Sequence, residues 1–311
     1  MLIGGIEGGG TKFICAVYDD KLKEIVCKKR VETTNPEDTI KEILRWFEWV
    51  NAEKGKMDSI GLGIFGPLDI DSNSSSLGMI KTSPKMEWNG VNLPKILFDK
   101  FQLPVGFNTD VNSAAIGEGS LDIFSNIDRL VYITIGTGIG VAVINKGETL
   151  FDNTHSEFGH MILPRIPGDN FKGACWYHKN CWEGLCSGVA IFKRTGKDAN
   201  MIDKEDIVWE IVAEYVSKAI YNLSLSFCPQ KIIIGGSVKN MGLAGEDFFF
   251  NLINKKIREH CEKYKNFYTY HDEVIPPIYK DSSGVYGAFI MGKDAYMNKL
   301  NFGVITKIGR L

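Results

Sequence analysis

The stretch "MLIGGIEGGGTKFICAV", residues 1–17, decides how the rest of the chain is read. An apolar run, a glycine-rich turn and a second apolar run spell strand, tight turn, strand. Glycine turns of this kind let backbone N–H groups approach phosphate oxygens closely. Two common phosphate loops need a helix after the turn, and neither fits. A P-loop reads G-x-x-x-x-G-K-[ST] into a helix, whereas here Thr11 precedes Lys12 and an apolar strand follows. The dinucleotide fingerprint fails for the same reason. The pattern returns at 130–144 as "LVYITIGTGIGVAVI". Two hairpins from two domains can grip one phosphate chain, and the recurrence suggests two related halves. The alternative is a pair of ordinary tight turns. The glycine pair Gly235–Gly236, after the apolar run 231–234, weighs against it.

Between the hairpins, strand-like runs alternate with helical patterns. "SIGLGIFG" (59–66), "LPVGFNTD" (103–110) and "KIIIGG" (231–236) are short, apolar and end in glycine or polar residues. "PEDTIKEILRWFEWVNAEKG" (36–55) carries Ile40, Ile43, Leu44, Phe47 and Val50 at helical spacing, with Pro36 suiting its start and Gly55 its end. "DIVWEIVAEYVSKAIYNLSLSF" (206–227) is longer and more apolar and is expected to cross a core. The alternation predicts an α/β fold. Its division is expected at 1–118 and 119–311, with the last helix, near 285–298, returning to the first domain. The tail after 295 is basic and unassigned.

The bulk properties narrow the function. The 311 residues are 44% hydrophobic with a net charge of −2, so no basic surplus points to nucleic acid or an anionic membrane. No apolar run is long enough to span a bilayer, and the N-terminus lacks the basic and apolar regions of a signal peptide. The seven cysteines are an odd, scattered set, which fits a reducing compartment, so a cytoplasmic protein is expected.

The region 152–188 breaks the rhythm of strands and helices, and "ACWYHKNCWEG" (174–184) lies in it. Cys175, His178 and Cys181 have the spacing of a zinc knuckle, and a closed zinc site needs a fourth ligand. His155, His160 and Cys186 are all available, and spacing alone does not choose. A disulfide, a catalytic Cys–His pair and chance packing are the competing readings. Asp110, where a strand ends and a helix begins, is a candidate general base or else a simple helix cap.

Eight ordered segments carry a family resemblance. They are "GGIEGGGTKFICAV", "GLGIFGPLD", "TSPKMEWNGVNL", "NTDVNSAAIGE", "ITIGTGIGVAV", "EFGHM", "CWYHKNCWEGLCSG" and "IIIGGSV". Together they resemble ROK-family sugar kinases, most of all the bacterial fructokinase branch, from residue 1 to about 290. The resemblance implies the two-domain, actin-like (ribonuclease-H-like) ATPase fold, with a cleft between domains and an inserted zinc-binding loop. It implies ATP phosphates at Gly9, Gly10, Thr11, Lys12, Gly136, Thr137 and Gly138, with Gly235 and Gly236 on the adenosine side. It implies Asp110 as the base, and Asn89, Asn108, Asp110, Glu157, His160 and Glu183 around the sugar. It selects His160 as the ligand that joins Cys175, His178 and Cys181 on Zn²⁺, and asks nothing of Cys186. Most of the family has Asp where this chain has Glu7; the fructokinase branch tends to carry Glu, which can hold Mg²⁺ through water. A buried carboxylate paired only with Lys12 is the alternative.

The implied activity is phosphorylation of a hexose by ATP, with D-fructose at its 6-hydroxyl as the first expectation. Glucose, mannose or an N-acetylated hexosamine are the alternatives within the enzyme class. A sugar-responsive repressor shares the fold, but the hairpin begins at residue 3 and leaves no room for a DNA-binding module before it. A non-catalytic sugar-binding protein is the third reading. The expected partners are a hexose and ATP, in a homodimer.

Overall fold

The computed structural model describes residues 1–151, 153–262 and 274–311. Its first half runs β1 (Leu2–Gly8), β2 (Lys12–Asp19), β3 (Glu24–Glu32), α1 (Pro36–Glu53), β4 (Ser59–Ile64), α2 (Leu93–Phe101), β5 (Val105–Thr109) and α3 (Asp110–Gly119). The rest runs β6 (Arg129–Ile135), β7 (Ile139–Asn145), β8 (Glu148–Thr149), α4 (Trp182–Cys186), α5 (Gly188–Thr195), α6 (Ile207–Phe227), β9 (Lys231–Gly235), α7 (Glu246–Cys261), α8 (Ser283–Met297) and β10 (Phe302–Val304). Among the described residues no helix is long and apolar enough to cross a membrane.

The strands form a six-stranded sheet, β10-β5-β4-β1-β2-β3, and a four-stranded sheet, β8-β7-β6-β9. In each, the first strand of a glycine hairpin has a parallel neighbour on its other side, β4 beside β1 and β9 beside β6. By internal contacts the chain forms two compact units. One is Met1–Asn126 with Ala142–Ser156 and Asp281–Leu311; the other is Ile127–Val141 with Glu157–Lys280.

Local chemistry explains the elements that position the site. α1 starts at Pro36, capped by Asn35, whose Oδ1 accepts from Asp38 N–H at 2.9 Å. Its inward residues Ile43, Trp46, Phe47 and Val50 join Phe13, Leu62 and Phe107 in one core. The helix stops two residues before Gly55, which sits at φ +118°. α8 lies very close to β4 and α3. A Cβ on Gly61 would fall 1.6 Å from the Ala288 carbonyl oxygen, and one on Gly287 would fall 1.7 Å from that of Ser113. Only glycine permits this approach. The tail after α8 is ordered into the same unit. β10 pairs in parallel with β5, Ile305 N–H donates to Phe107 at 3.1 Å, and Ile308 N–H donates to Gly147 at 2.7 Å.

Candidate active site and metal centre

The first glycine turn joins β1 to β2. Gly9 N–H donates to the Lys12 carbonyl at 2.9 Å, and Thr33 ties the turn from outside: its N–H donates to Thr11 and its Oγ1 to Gly9. Thr11 and Lys12 are exposed.

Strand register sets the carboxylates. Glu7 at the end of β1 pairs with Gly63 of β4, and Gly63 pairs with Asn108 of β5, so these three form one row across the sheet. Asp110 follows two residues later as the first residue of α3. The helix cap itself is Thr109, whose Oγ1 accepts from Asn112 N–H at 3.3 Å, so the capping alternative for Asp110 falls. Asp110 Oδ1 accepts from Val111 N–H at 2.8 Å. Glu7 is partly exposed as a residue, yet its Oε2 is sealed from solvent without a hydrogen-bond partner. Burial first, and then the charge of Asp110, push its carboxyl up to about 7. A sealed, unpartnered carboxylate oxygen beside a second acid is a place suited to a cation.

Asn108 is wholly buried. Its Nδ2 donates to the Ile305 carbonyl at 2.8 Å, and its Oδ1 accepts from Thr109 N–H and from Asn112 Nδ2, both at 2.8 Å. Both lone-pair sites of Oδ1 and one N–H of the amide are thus engaged inside the fold. Asn89 is exposed, with its Oδ1 accepting from Ser83 N–H at 2.8 Å.

The second glycine turn is held by α4 and α5. Gly188 N–H donates to the Gly136 carbonyl at 2.7 Å, and Ile139 N–H donates to Glu183 Oε2 at 3.0 Å. A Cβ on Gly138 would lie 2.6 Å from that same Oε2, and Thr137 between the glycines is exposed. Gly236 follows β9 at φ +87°, where an added Cβ would lie 2.3 Å from the Ile135 carbonyl oxygen. On Gly235 it would lie 2.1 Å from the Tyr132 hydroxyl.

His160, Cys175, His178 and Cys181 come together, one ligand atom from each lying within 4.8 Å of all the others. His160 Nδ1 is 3.5 Å from both cysteine sulfurs, and Cys175 Sγ is 4.0 Å from His178 Nδ1. The local fold makes this possible. Cys175 and Lys179 bond each other's backbones across a tight turn, with Lys179 at φ +61°. Trp182 N–H donates to Met161 and fixes Cys181 beside the 3₁₀ turn Phe158–His160. Tetrahedral zinc with sulfur at about 2.3 Å and nitrogen at about 2.0 Å sets S···N edges of roughly 3.5 Å, so the donor set fits that ion. Burial above all, with Cys175 adding, pushes the Cys181 thiol up to about 12. His155 and Cys186 stand outside the cluster; Cys186 is buried against the Val212 carbonyl. No cysteine pairs as a disulfide. With Nδ1 toward the sulfurs, His160 turns Nε2 toward Glu157 Oε2, at 3.9 Å.

Sequence reasoning missed one buried network. Arg194 of α5 binds Asp169 through two bonds of 2.7 and 2.8 Å, and Tyr215 OH donates to Asp169 Oδ2 at 2.7 Å. Arg194 foremost holds the Asp169 carboxyl far below the usual range. Arg165 Nη2 donates to the Asp169 and Phe171 carbonyls, so the loop between His160 and Cys175 is pinned from α5, from α6 and from within. The partners lie far apart in sequence, and no local pattern marks them.

A sequence model of the ROK family matches residues 3–295. A fructokinase of Pediococcus pentosaceus is 36% identical over 298 residues, covering 96% of this chain and all of that protein. A fructokinase of Streptococcus mutans is 35% identical, over 94% of this chain and 97% of that protein. Among solved structures, the ROK hexokinase from Thermus thermophilus superposes with a TM-score of 0.72 at 22% identity, over 96% of this chain and all of that one. The fold is thus the actin-like α/β fold that the family resemblance implied.

Proposed function

The chain belongs to the ROK family, and from that premise we propose that it is a fructokinase, transferring the γ-phosphoryl group of ATP to the 6-hydroxyl of D-fructose. The observation that carries this reading is near full-length identity of 33–36% to several fructokinases. The residues present supply the parts such a reaction requires.

A sugar hydroxyl needs aim and a proton acceptor, because phosphoryl transfer is catalysed mainly by positioning and charge. We assign proton acceptance to Asp110, held at the start of α3 while Thr109 does the capping. Gly9, Gly10, Thr11 and Lys12, with Gly136, Thr137 and Gly138, are assigned to the phosphates, and Gly235 and Gly236 to the adenosine side. Glu157, His160 through Nε2, Glu183 and Asn89 are assigned to the sugar hydroxyls. Asn108 is assigned to them too, through its second Nδ2 hydrogen, while its other bonds fix the β5–α3 junction. Mg²⁺ bound with ATP would be held through water by Glu7, and it neutralises phosphate charge. Zn²⁺ would be held by His160, Cys175, His178 and Cys181, where it would order the loop that leads into α4 and Glu183. We further propose a cytoplasmic homodimer; use of ATP and seven unpaired cysteines support the compartment.

The test is ADP release, enzyme-coupled, against a panel of hexoses. Fructose-dependent release, with fructose 6-phosphate as product, is the expected result. Release that prefers glucose or mannose would move the substrate, and the absence of release with every sugar would overturn the kinase reading.

A further inference from the structure

A cation that none of the assignments above uses stands over the first glycine turn. A Cβ added to Gly10 would meet Lys85 Cε first, at 3.5 Å. The Lys85 stem therefore lies along the turn, with its ammonium group one bond beyond. Among the described residues the Lys85 side chain makes no ion pair and no hydrogen bond; only its backbone does, Lys85 N–H donating to Ser83 Oγ at 3.2 Å. Lys12 closes the same turn, so two cationic side chains are gathered at one glycine loop.

The position is built, not incidental. Ser83 N–H donates to Asn89 Oδ1, and Trp88 N–H donates to the Lys85 carbonyl at 2.9 Å, which closes 83–89 into a compact loop. Trp88 is buried, stacks on Phe13 of β2 with centroids 5.5 Å apart, and donates Nε1–H to Thr34 at 3.0 Å. The neighbouring Thr33 is the residue that ties Gly9 and Thr11. One set of contacts thus anchors both the turn and the loop that carries Lys85. A long flexible side chain held over a phosphate-type turn, beside another cation and without a carboxylate partner, is suited to an anionic ligand.

We propose that Lys85 is a ligand of the transferred phosphoryl group. The inference rests on the reading of residues 9–12 as a phosphate cradle. In the transfer, the bond from the γ-phosphorus to the oxygen bridging it to ADP breaks and the bond to the sugar oxygen forms. The hydroxyl proton goes to Asp110. Lys85 faces the equatorial oxygens, on which the charge of the transition state is spread.

The experiment compares wild type with Lys85→Met, which keeps the stem over Gly10, and Lys85→Arg, which keeps the charge. Steady-state kinetics and calorimetric binding of fructose, ADP and the non-hydrolysable analogue AMP-PNP are measured with Mg²⁺ present. Loss of one donor to developing charge lowers kcat by roughly 100-fold or more. Lys85→Met is expected to show that loss, mainly in kcat, with fructose and ADP affinities unchanged and AMP-PNP affinity weakened. Lys85→Arg is expected to recover part of kcat. Unchanged fructose binding shows that the variant is folded. A Lys85→Met enzyme with wild-type kcat overturns the proposal, as does an equal loss of ADP and AMP-PNP affinity. If wild type phosphorylates no hexose, the kinase reading fails instead, and the ADP against AMP-PNP comparison still decides what Lys85 binds.

Discussion

Replacing Glu7 by Gln tests whether its buried oxygen waits for a cation. The carboxyl rises from 4.5 to about 7 in the fold, through burial and then Asp110. A raised carboxyl pKa means that the folded state holds the proton more tightly than the unfolded chain. Stability from this group is therefore fully present below 4.5 and is lost as pH rises through 7. Each pKa unit is worth about 1.4 kcal/mol, so ionised Glu7 costs the metal-free fold roughly 3 kcal/mol at pH 8 and under about 1 kcal/mol at pH 5. Glu7→Gln removes a charge and keeps the shape. Without added Mg²⁺, the variant should gain about 2–3 kcal/mol on wild type between pH 5 and pH 8. For a chain of this length that is roughly 4 °C in Tm. Thermal melts of both proteins at the two pH values read the difference, in which shared titrations cancel. Adding Mg²⁺ with ADP should then stabilise wild type more than the variant. A difference that is flat with pH, or a variant less stable at pH 8 than wild type, would refute the reasoning.

Asp110→Asn should keep fructose and AMP-PNP affinity while kcat falls by roughly 100- to 10,000-fold, seen in single-turnover assays. Cys181→Ser should lower zinc per chain by metal analysis and weaken fructose binding by calorimetry; full sugar affinity in zinc-depleted protein would break that link. Gly138→Ala puts a Cβ 2.6 Å from Glu183 Oε2, so the Ile139 bond must shift. ATP affinity should fall, and wild-type binding would show that the contact does not matter. Arg194→Met strands buried Asp169 and should cost about 3–5 kcal/mol in chemical denaturation, part of it regained in the double variant with Asp169→Asn.

What the sequence revealed depended on how locally each feature is encoded. The hairpins announced themselves because apolar runs and glycine are contiguous, and α1 because its period and its cap lie within one stretch. The metal cluster was half legible: three ligands share one knuckle, but the fourth lies fifteen residues before Cys175, and only the family resemblance chose it over His155 and Cys186. Asn108 was marked as a candidate sugar ligand only by the family resemblance, not by any local pattern. That its amide closes on Ile305 depends on β10, which no pattern in the basic tail foretold. Asp169, Arg194 and Tyr215 were silent for the same reason, as was Lys85, whose place is set by a tryptophan stacked on another strand.

The bond from Asn108 to Ile305 also sets an order in time. Asp110 is synthesised 195 residues before Ile305, an interval of about 10–40 s at elongation rates of roughly 5–20 residues per second. Throughout that interval β5 has an open edge, and Asn108, two residues before Asp110, lacks its Ile305 acceptor. Glycines 287 and 292, which let α8 settle on α3 and on β4, also emerge late. A nascent chain can thus fold its second unit while its first is unfinished, and a ribosome stalled before residue 305 would carry both glycine turns but a β5–α3 junction without its Ile305 tie.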